Sequence, residues 1–116
     1  MELQDAIELC LSLPQAEETT PFGPDALVYK VAGKMFALAG ARNEFGSMNL
    51  KCDPERALEL REEWDAITPG YHMSKKHWNT IIFDGSLPSK LIREMIEDSY
   101  ALVIAGLPKK VRETFQ

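Results

Sequence analysis

The chain has little cysteine, no long apolar run and no excess of positive charge, and these absences narrow the class of protein. Its two cysteines, Cys10 and Cys52, lack C-x-x-C spacing, so we expect small buried side chains in a reducing compartment rather than a disulfide or a metal site. No apolar run approaches the roughly 20 residues that cross a bilayer, and acidic residues interrupt the N-terminal segment. We therefore expect no membrane partner, no signal peptide and a cytoplasmic location.

The charge balance limits how the protein could bind nucleic acid. The formal net charge is -5. Proteins that bind nucleic acid through overall electrostatic attraction are usually basic, because much of the affinity comes from releasing the counterions of the phosphates. Binding of this kind would need a local basic patch on an acidic body.

The 116 residues, 45% of them hydrophobic and 27% charged, predict one globular domain spanning 1–116. The pattern predicts an α+β fold, an antiparallel sheet of about five strands flanked by helices. Residues 15–24, rich in proline, glycine and threonine, predict a surface loop. Helices are expected before Pro14, from Asp53-Pro54 to about Glu63, from Ser86-Leu87-Pro88 to Gly106, and for one short turn in the C-terminal tail.

Strands are predicted by alternation and turn residues. Residues 27–31 and 35–39 flank a tight turn at Ala32-Gly33-Lys34, and residues 45–52 form a third strand. In that third strand Ser47, Asn49 and Lys51 would face solvent, opposite a buried face. Residues 66–73 and 77–83 predict another pair, turned at Ser74-Lys75-Lys76.

The segment 69–80 holds both histidines, one of the two tryptophans and a lysine pair. Trp78 either packs in the core or faces out to stack on a ligand, and Lys75 with Lys76 forms either a solvated turn or an anion site. His72 and His77 lack a third metal ligand nearby, and no nucleophile–base system accompanies them. We predict no metal, no cofactor and no enzymatic activity.

A second basic cluster, formed by Lys109, Lys110 and Arg112, lies near the C-terminus. Such tails are usually solvated. This one would extend a binding surface if it folds back near Lys75.

The chain carries five motifs in this order: Pro21-Phe22-Gly23, Val28-Tyr29-Lys30-Val31, Gly33-Lys34-Met35-Phe36-Ala37, Gly70-Tyr71-His72-Met73-Ser74-Lys75-Lys76-His77-Trp78-Asn79-Thr80 and Ser99-Tyr100. Together they resemble the MmcQ/YjbR family of small bacterial proteins over nearly the whole chain. The resemblance implies an antiparallel sheet flanked by helices, similar to the frataxin-like CyaY arrangement. It also implies a "double-wing" DNA-binding role, with wings at the turns of Lys34 and of Lys75-Lys76, and it supplies no catalytic residues.

The first functional hypothesis is a non-enzymatic module that binds nucleic acid weakly. Its predicted contact residues are Lys34, Tyr71, Lys75, Lys76, His77, Trp78, Lys109 and Lys110. The alternative is an adaptor that binds a protein partner through an exposed sheet face or edge and has no affinity for nucleic acid. A third possibility is an enzyme or small-molecule binder with a cleft centred on His77.

Overall fold

This computed structural model describes residues 1–40, 44–71 and 73–115. These residues contain four α-helices and six strands. The helices are α1 (Leu3–Ser12), α2 (Pro54–Glu63), α3 (Ser89–Ala105) and α4 (Lys109–Arg112), and a 3-10 helix (Glu113–Phe115) follows. The strands are β1 (Glu17–Thr19), β2 (Ala26–Val31), β3 (Lys34–Gly40), β4 (Ser47–Lys51), β5 (Ile67–Pro69) and β6 (Trp78–Ile82).

The six strands form one antiparallel sheet in the order β1–β2–β3–β4–β6–β5. The predicted meander is β2, β3 and β4. The predicted pair is β5 and β6, but β5 ends at Pro69 and not at residue 73. β6 lies between β4 and β5, since the chain passes through α2 to the outer strand β5 before it turns back. The predicted α+β fold is confirmed.

The sixth strand, β1, lies inside the segment predicted as a loop, so that prediction was wrong for residues 17–19. Glu18 pairs with Tyr29 of β2, and the Tyr29 hydroxyl donates to Glu18 Oε2 at 2.8 Å. The hydroxyl of Thr19 donates to the carbonyl of Val28 at 3.3 Å. Three residues are too few to show strand alternation, and the adjacent proline and glycine masked the signal.

The helix ends follow the capping residues in the sequence. Asp53 caps α2 by accepting a hydrogen bond from the Arg56 amide at 3.3 Å, and Pro54 occupies the first helical position. Gly106 ends α3, as predicted. None of the helices in the described ranges is long and apolar enough to cross a membrane.

One face of the sheet packs against α1, α2 and α3. The shared core contains Ala6 and Cys10 of α1, Ala57 and Leu60 of α2, Ile92 and Ile96 of α3, and Tyr29, Ala37, Met48, Leu50 and Ile81 of the strands. Ser99 of α3 joins the helix layer to two strands. Its buried hydroxyl accepts from the Lys51 amide at 2.8 Å and donates to the Phe36 carbonyl at 2.6 Å.

The opposite face, which we call the open face, carries none of these three helices. Three rows of cross-strand neighbours lie on this face. The first row is Trp78 and Lys51, the second is Thr80, Asn49, Leu38 and Val28, and the third is Ile82, Ser47 and Gly40. The predicted alternation of β4 is therefore confirmed. The predicted exposure of its polar face is wrong, since Ser47 is 4% and Asn49 7% exposed. β4 is an inner strand flanked by β3 and β6, and Thr80 donates a hydrogen bond to Asn49 Oδ1.

The two cysteines, Cys10 and Cys52, are buried free thiols. Cys10 lies in the core between α1 and the sheet, and its burial raises the pKa of the thiol to about 12. A thiol with so high a pKa stays protonated at neutral pH and behaves as a small apolar side chain.

Candidate functional site

The connection from β5 to β6 forms a compact turn that presents two lysines. We call Ser74, Lys75, Lys76 and His77 the lysine turn. The Ser74 carbonyl accepts hydrogen bonds from the amides of His77 at 3.2 Å and Trp78 at 2.9 Å, which closes the turn at the start of β6. The predicted turn at this position is confirmed.

Arg61 of α2 anchors the lysine turn to the helix through side-chain hydrogen bonds. Its Nη2 donates to the Lys75 carbonyl and, at 3.3 Å, to the Trp78 carbonyl, while its Nε donates to Asn79 Oδ1 at 2.6 Å. Asn79 is fully buried, and its Nδ2 donates to the Ala57 carbonyl at 3.3 Å. One guanidinium thus ties together α2, the turn and β6.

Arg61 and Asn79 were missed by the sequence analysis. A signal was present, since Arg61 falls four residues after Ala57 and three before Trp64, on the inward stripe of α2. A charged residue on an apolar stripe needs buried partners, because burying an unpaired charge is costly. The identity of those partners depends on β6, which is distant in sequence, so it could not be predicted.

The two lysines of the turn are accessible to solvent. Lys75, Lys76 and His77 are exposed, and among the residues that the structure describes no carboxylate forms an ion pair with either lysine. A groove of about 370 Å³ lies between α2 and the turn, lined by both lysines, Arg61, Leu58, Pro54 and Glu55. The turn therefore has a fixed backbone and two cations available to a ligand.

Trp78 lies on the open face, half-buried and outside the core cluster that the helices form. Its cross-strand neighbour on that face is Lys51 of β4. Gly70 approaches it closely, because the Gly70 amide donates to the Trp78 carbonyl at 2.9 Å and a Cβ at Gly70 would lie 2.8 Å from that of Trp78. Trp78 therefore does not pack in the core formed with the helices, and its stacking on a ligand stays a prediction.

Tyr71 and His77 flank the turn through their backbones. The Tyr71 amide donates to Thr80 Oγ1 on the open face at 3.1 Å, and the tyrosine is 45% exposed. The His77 carbonyl accepts from the Cys52 amide at 2.7 Å, which extends the β4–β6 pairing by one step. His72, the other histidine of this segment, lies outside the described residues.

Lys34 occupies the second predicted turn, at the same end of the sheet. Ala32 and Gly33 form this turn with φ of 51° and 78°, the positive values that a two-residue hairpin requires. Lys34 starts β3 at the end where β4 finishes and β6 begins. Only β4 separates the two strands, so their backbones are about 10 Å apart.

Lys109 and Lys110 lie on α4, beyond the end of α3. Lys109 Nζ is 4.0 Å from Glu113 Oε1, and Arg112 Nη1 donates to the Ala105 carbonyl at 3.4 Å. Within the described ranges, no hydrogen bond or ion pair joins this cluster to the lysine turn. The two basic clusters thus have no polar contact with each other in the described part of the chain.

The sequence of the chain matches a known protein family. The YjbR family model matches residues 11–102. The chain belongs to the YjbR family. YbdF of Escherichia coli O157:H7 is 39% identical over 107 residues, which cover 92% of this chain and 88% of YbdF. YjbR of Escherichia coli K12 is 30% identical over 113 residues, covering 97% and 96% of the two chains.

Solved structures of similar proteins share the fold. Protein DR2400 of Deinococcus radiodurans, with its DUF419 domain, superposes with a TM-score of 0.90 at 39% identity, covering 97% of this chain and 86% of that one. A crystal structure from Pseudomonas syringae gives a TM-score of 0.76 at 30% identity, covering 88% of this chain and 98% of that one. The family resemblance expected from the motifs is confirmed. YbdF and YjbR are themselves uncharacterized proteins, so membership of the family establishes the fold and assigns no biochemical role.

Proposed function

We propose that this YjbR-family protein is a non-enzymatic module that binds nucleic acid weakly through the lysine turn. The observation that supports it most is the anchoring of the turn by Arg61, which bonds the Lys75 and Trp78 carbonyls while both lysine side chains remain exposed. A turn with a fixed backbone presents its cations without a large loss of backbone entropy on binding.

The chemistry of the site suits phosphate groups. Lysine is a compact cation with three donors and contacts single phosphates as a point charge. Lys34 and Lys51 lie at the same end of the sheet as Lys75 and Lys76. About four phosphate contacts predict a slope of log K against log salt of about −3.6 for duplex DNA and about −2.8 for a single strand.

Fluorescence anisotropy with labelled DNA over a series of salt concentrations tests this function. The decisive variant is Lys75→Glu/Lys76→Glu, which we expect to abolish binding. The matched control is Lys90→Glu/Arg93→Glu, which changes the net charge by the same amount at exposed positions on the first turns of α3. Equal loss of binding in both variants would show that only overall charge matters. Absence of wild-type binding at about 50 mM salt would refute the proposal, since counterion release favours low salt.

A protein adaptor is the second candidate, and exposed aromatic residues support it. Phe22 is 73% and Phe45 49% exposed, and they precede β2 and β4 at the end of the sheet away from the lysine turn. Exposed apolar groups of this size often mark contacts with other proteins. A pull-down that recovers the same protein with the wild type and not with Phe22→Ser, together with no DNA binding, would favour the adaptor.

A further inference from the structure

One face of α2 carries an exposed leucine that the core does not use. Leu58 is 58% exposed and lies outside the core cluster. It follows Pro54 by four residues and precedes Arg61 by three, so the three side chains share one face of the helix. Since the guanidinium of Arg61 donates to the Lys75 carbonyl, this face of α2 borders the lysine turn.

This helix face and the lysine turn form the walls of the groove of about 370 Å³. Leu58 and Pro54 make one wall aliphatic, and the exposed lysines Lys75 and Lys76 make the other cationic. Among the described residues, only Glu55 brings a carboxylate to the lining, so the lining is positively charged overall. A ligand that complements both walls combines an aliphatic group with negative charge.

The lining also distinguishes between classes of anion. No aromatic ring borders the groove in the described part of the chain, so a nucleic-acid base would find nothing to stack on. Small-molecule sites enclose most of their ligand, whereas this groove leaves Leu58 more than half exposed. An open groove with an aliphatic wall and exposed cations instead suits a segment of another protein.

We propose that this groove binds an acidic segment of a partner protein, with an aliphatic side chain against Leu58 and the flanking carboxylates on Lys75 and Lys76. The inference goes beyond nucleic-acid binding and does not depend on it. Because both ligands use the same pair of lysines, they compete for the lysine turn.

Fluorescence anisotropy with a labelled peptide tests this proposal. The probe has about eight residues, with a pair of leucines between runs of glutamate, and a second peptide has serine in place of both leucines. We expect the wild type to bind the leucine peptide about five- to tenfold more tightly than the serine peptide, since only the leucines bury apolar surface in the groove. Lys75→Glu/Lys76→Glu should abolish the binding of both peptides.

The variant Leu58→Ala locates the contact. It should lower the affinity for the leucine peptide about five- to tenfold and leave binding of oligothymidine unchanged. The matched control is Leu11→Ala, which removes a leucine of α1 that is 46% exposed and should have no effect.

Three results would overturn the proposal. The first is no binding of the leucine peptide up to about 1 mM. The second is equal affinity of the wild type for the two peptides, since charge alone would then account for binding. The third is a parallel loss of oligothymidine and peptide affinity in Leu58→Ala, since nucleic acid would then occupy the groove.

Discussion

Replacing Arg61 by methionine tests whether one guanidinium holds the lysine turn in place. Methionine retains most of the apolar stem and removes every donor. Three acceptors then lose a partner, namely Asn79 Oδ1 and the carbonyls of Lys75 and Trp78. These acceptors differ in their surroundings, so the expected loss of stability is not three times that of one bond.

Asn79 dominates the magnitude. It is fully buried, so its Oδ1 cannot regain a hydrogen bond from water, and an unsatisfied buried acceptor costs about 1–3 kcal/mol. The Lys75 carbonyl lies in an exposed residue and can be hydrated, and the Trp78 carbonyl keeps its bond from the Gly70 amide at 2.9 Å. We therefore expect Arg61→Met to lower the free energy of unfolding by about 2–3 kcal/mol, or the melting temperature by roughly 10 °C.

Urea denaturation followed by circular dichroism measures this loss. The matched variant Arg61→Met/Asn79→Leu removes both partners and should recover most of the stability, because the buried Oδ1 is gone and the Ala57 carbonyl, which loses its bond from Asn79 Nδ2, lies within α2 and keeps its helical bond. Both variants should bind nucleic acid more weakly than the wild type, since neither retains the hydrogen bonds that anchor the lysine turn. A loss below about 0.5 kcal/mol in Arg61→Met, the range of ordinary surface substitutions, would refute the reasoning.

Three further predictions concern the scaffold. Gly70→Ala should destabilise the fold by about 1–3 kcal/mol, because its Cβ would lie 2.8 Å from that of Trp78, and unchanged urea stability would contradict this. Ser99→Ala should lower stability by about 1–3 kcal/mol in the same assay, since a strand amide and a strand carbonyl lose their shared partner. Burial raises the pKa of Cys10 to about 12 from 9.0, so the unfolded chain releases this proton first as the pH rises. Stability should thus fall between pH 9 and 10 with a slope that approaches about 1.4 kcal/mol per pH unit. Cys10→Ala should flatten this slope, and an equally steep slope in the variant would exclude the thiol as its source.

Local features of the fold could be predicted because their causes lie within a few residues. Asp53 and Pro54 specify the start of α2 through a cap and a fixed φ, and Ala32 with Gly33 specifies a tight hairpin. The lysine turn follows in the same way from Ser74, Lys75 and Lys76 between two strand patterns. These elements place every predicted site residue except Lys109 and Lys110 at or next to one end of the sheet.

Features that depend on distant partners could not be predicted. β1 forms only because β2 offers its edge, and its three residues carry no period of their own. The burial of Asn49 depends on Thr80, which is 31 residues away, and the role of Arg61 depends on Asn79, 18 residues away. Sequence spacing reveals that Arg61 needs a partner, whereas the sheet order decides which one it has.

The net charge of the chain conceals how its charges are distributed between layers. Helices α1, α2 and α3 hold nine acidic and four basic residues, so this layer alone accounts for the formal charge of -5 and the rest of the chain is neutral. All three helices pack on the face of the sheet opposite Trp78 and Lys51. A helix is about 10–12 Å in diameter, so carboxylates on the outer side of that layer lie beyond the Debye length of about 8 Å at physiological ionic strength, whereas Glu55 of α2 lines the groove beside Lys75 and Lys76. Salt then screens the repulsion between the outer carboxylates and a ligand at the lysine turn, whereas at about 0.01 M the Debye length reaches about 30 Å and the whole acidic layer opposes binding. The plot of log K against log salt should therefore flatten at the lowest salt concentrations. A strictly linear plot down to about 0.01 M would show that the acidic layer has no influence on the lysine turn.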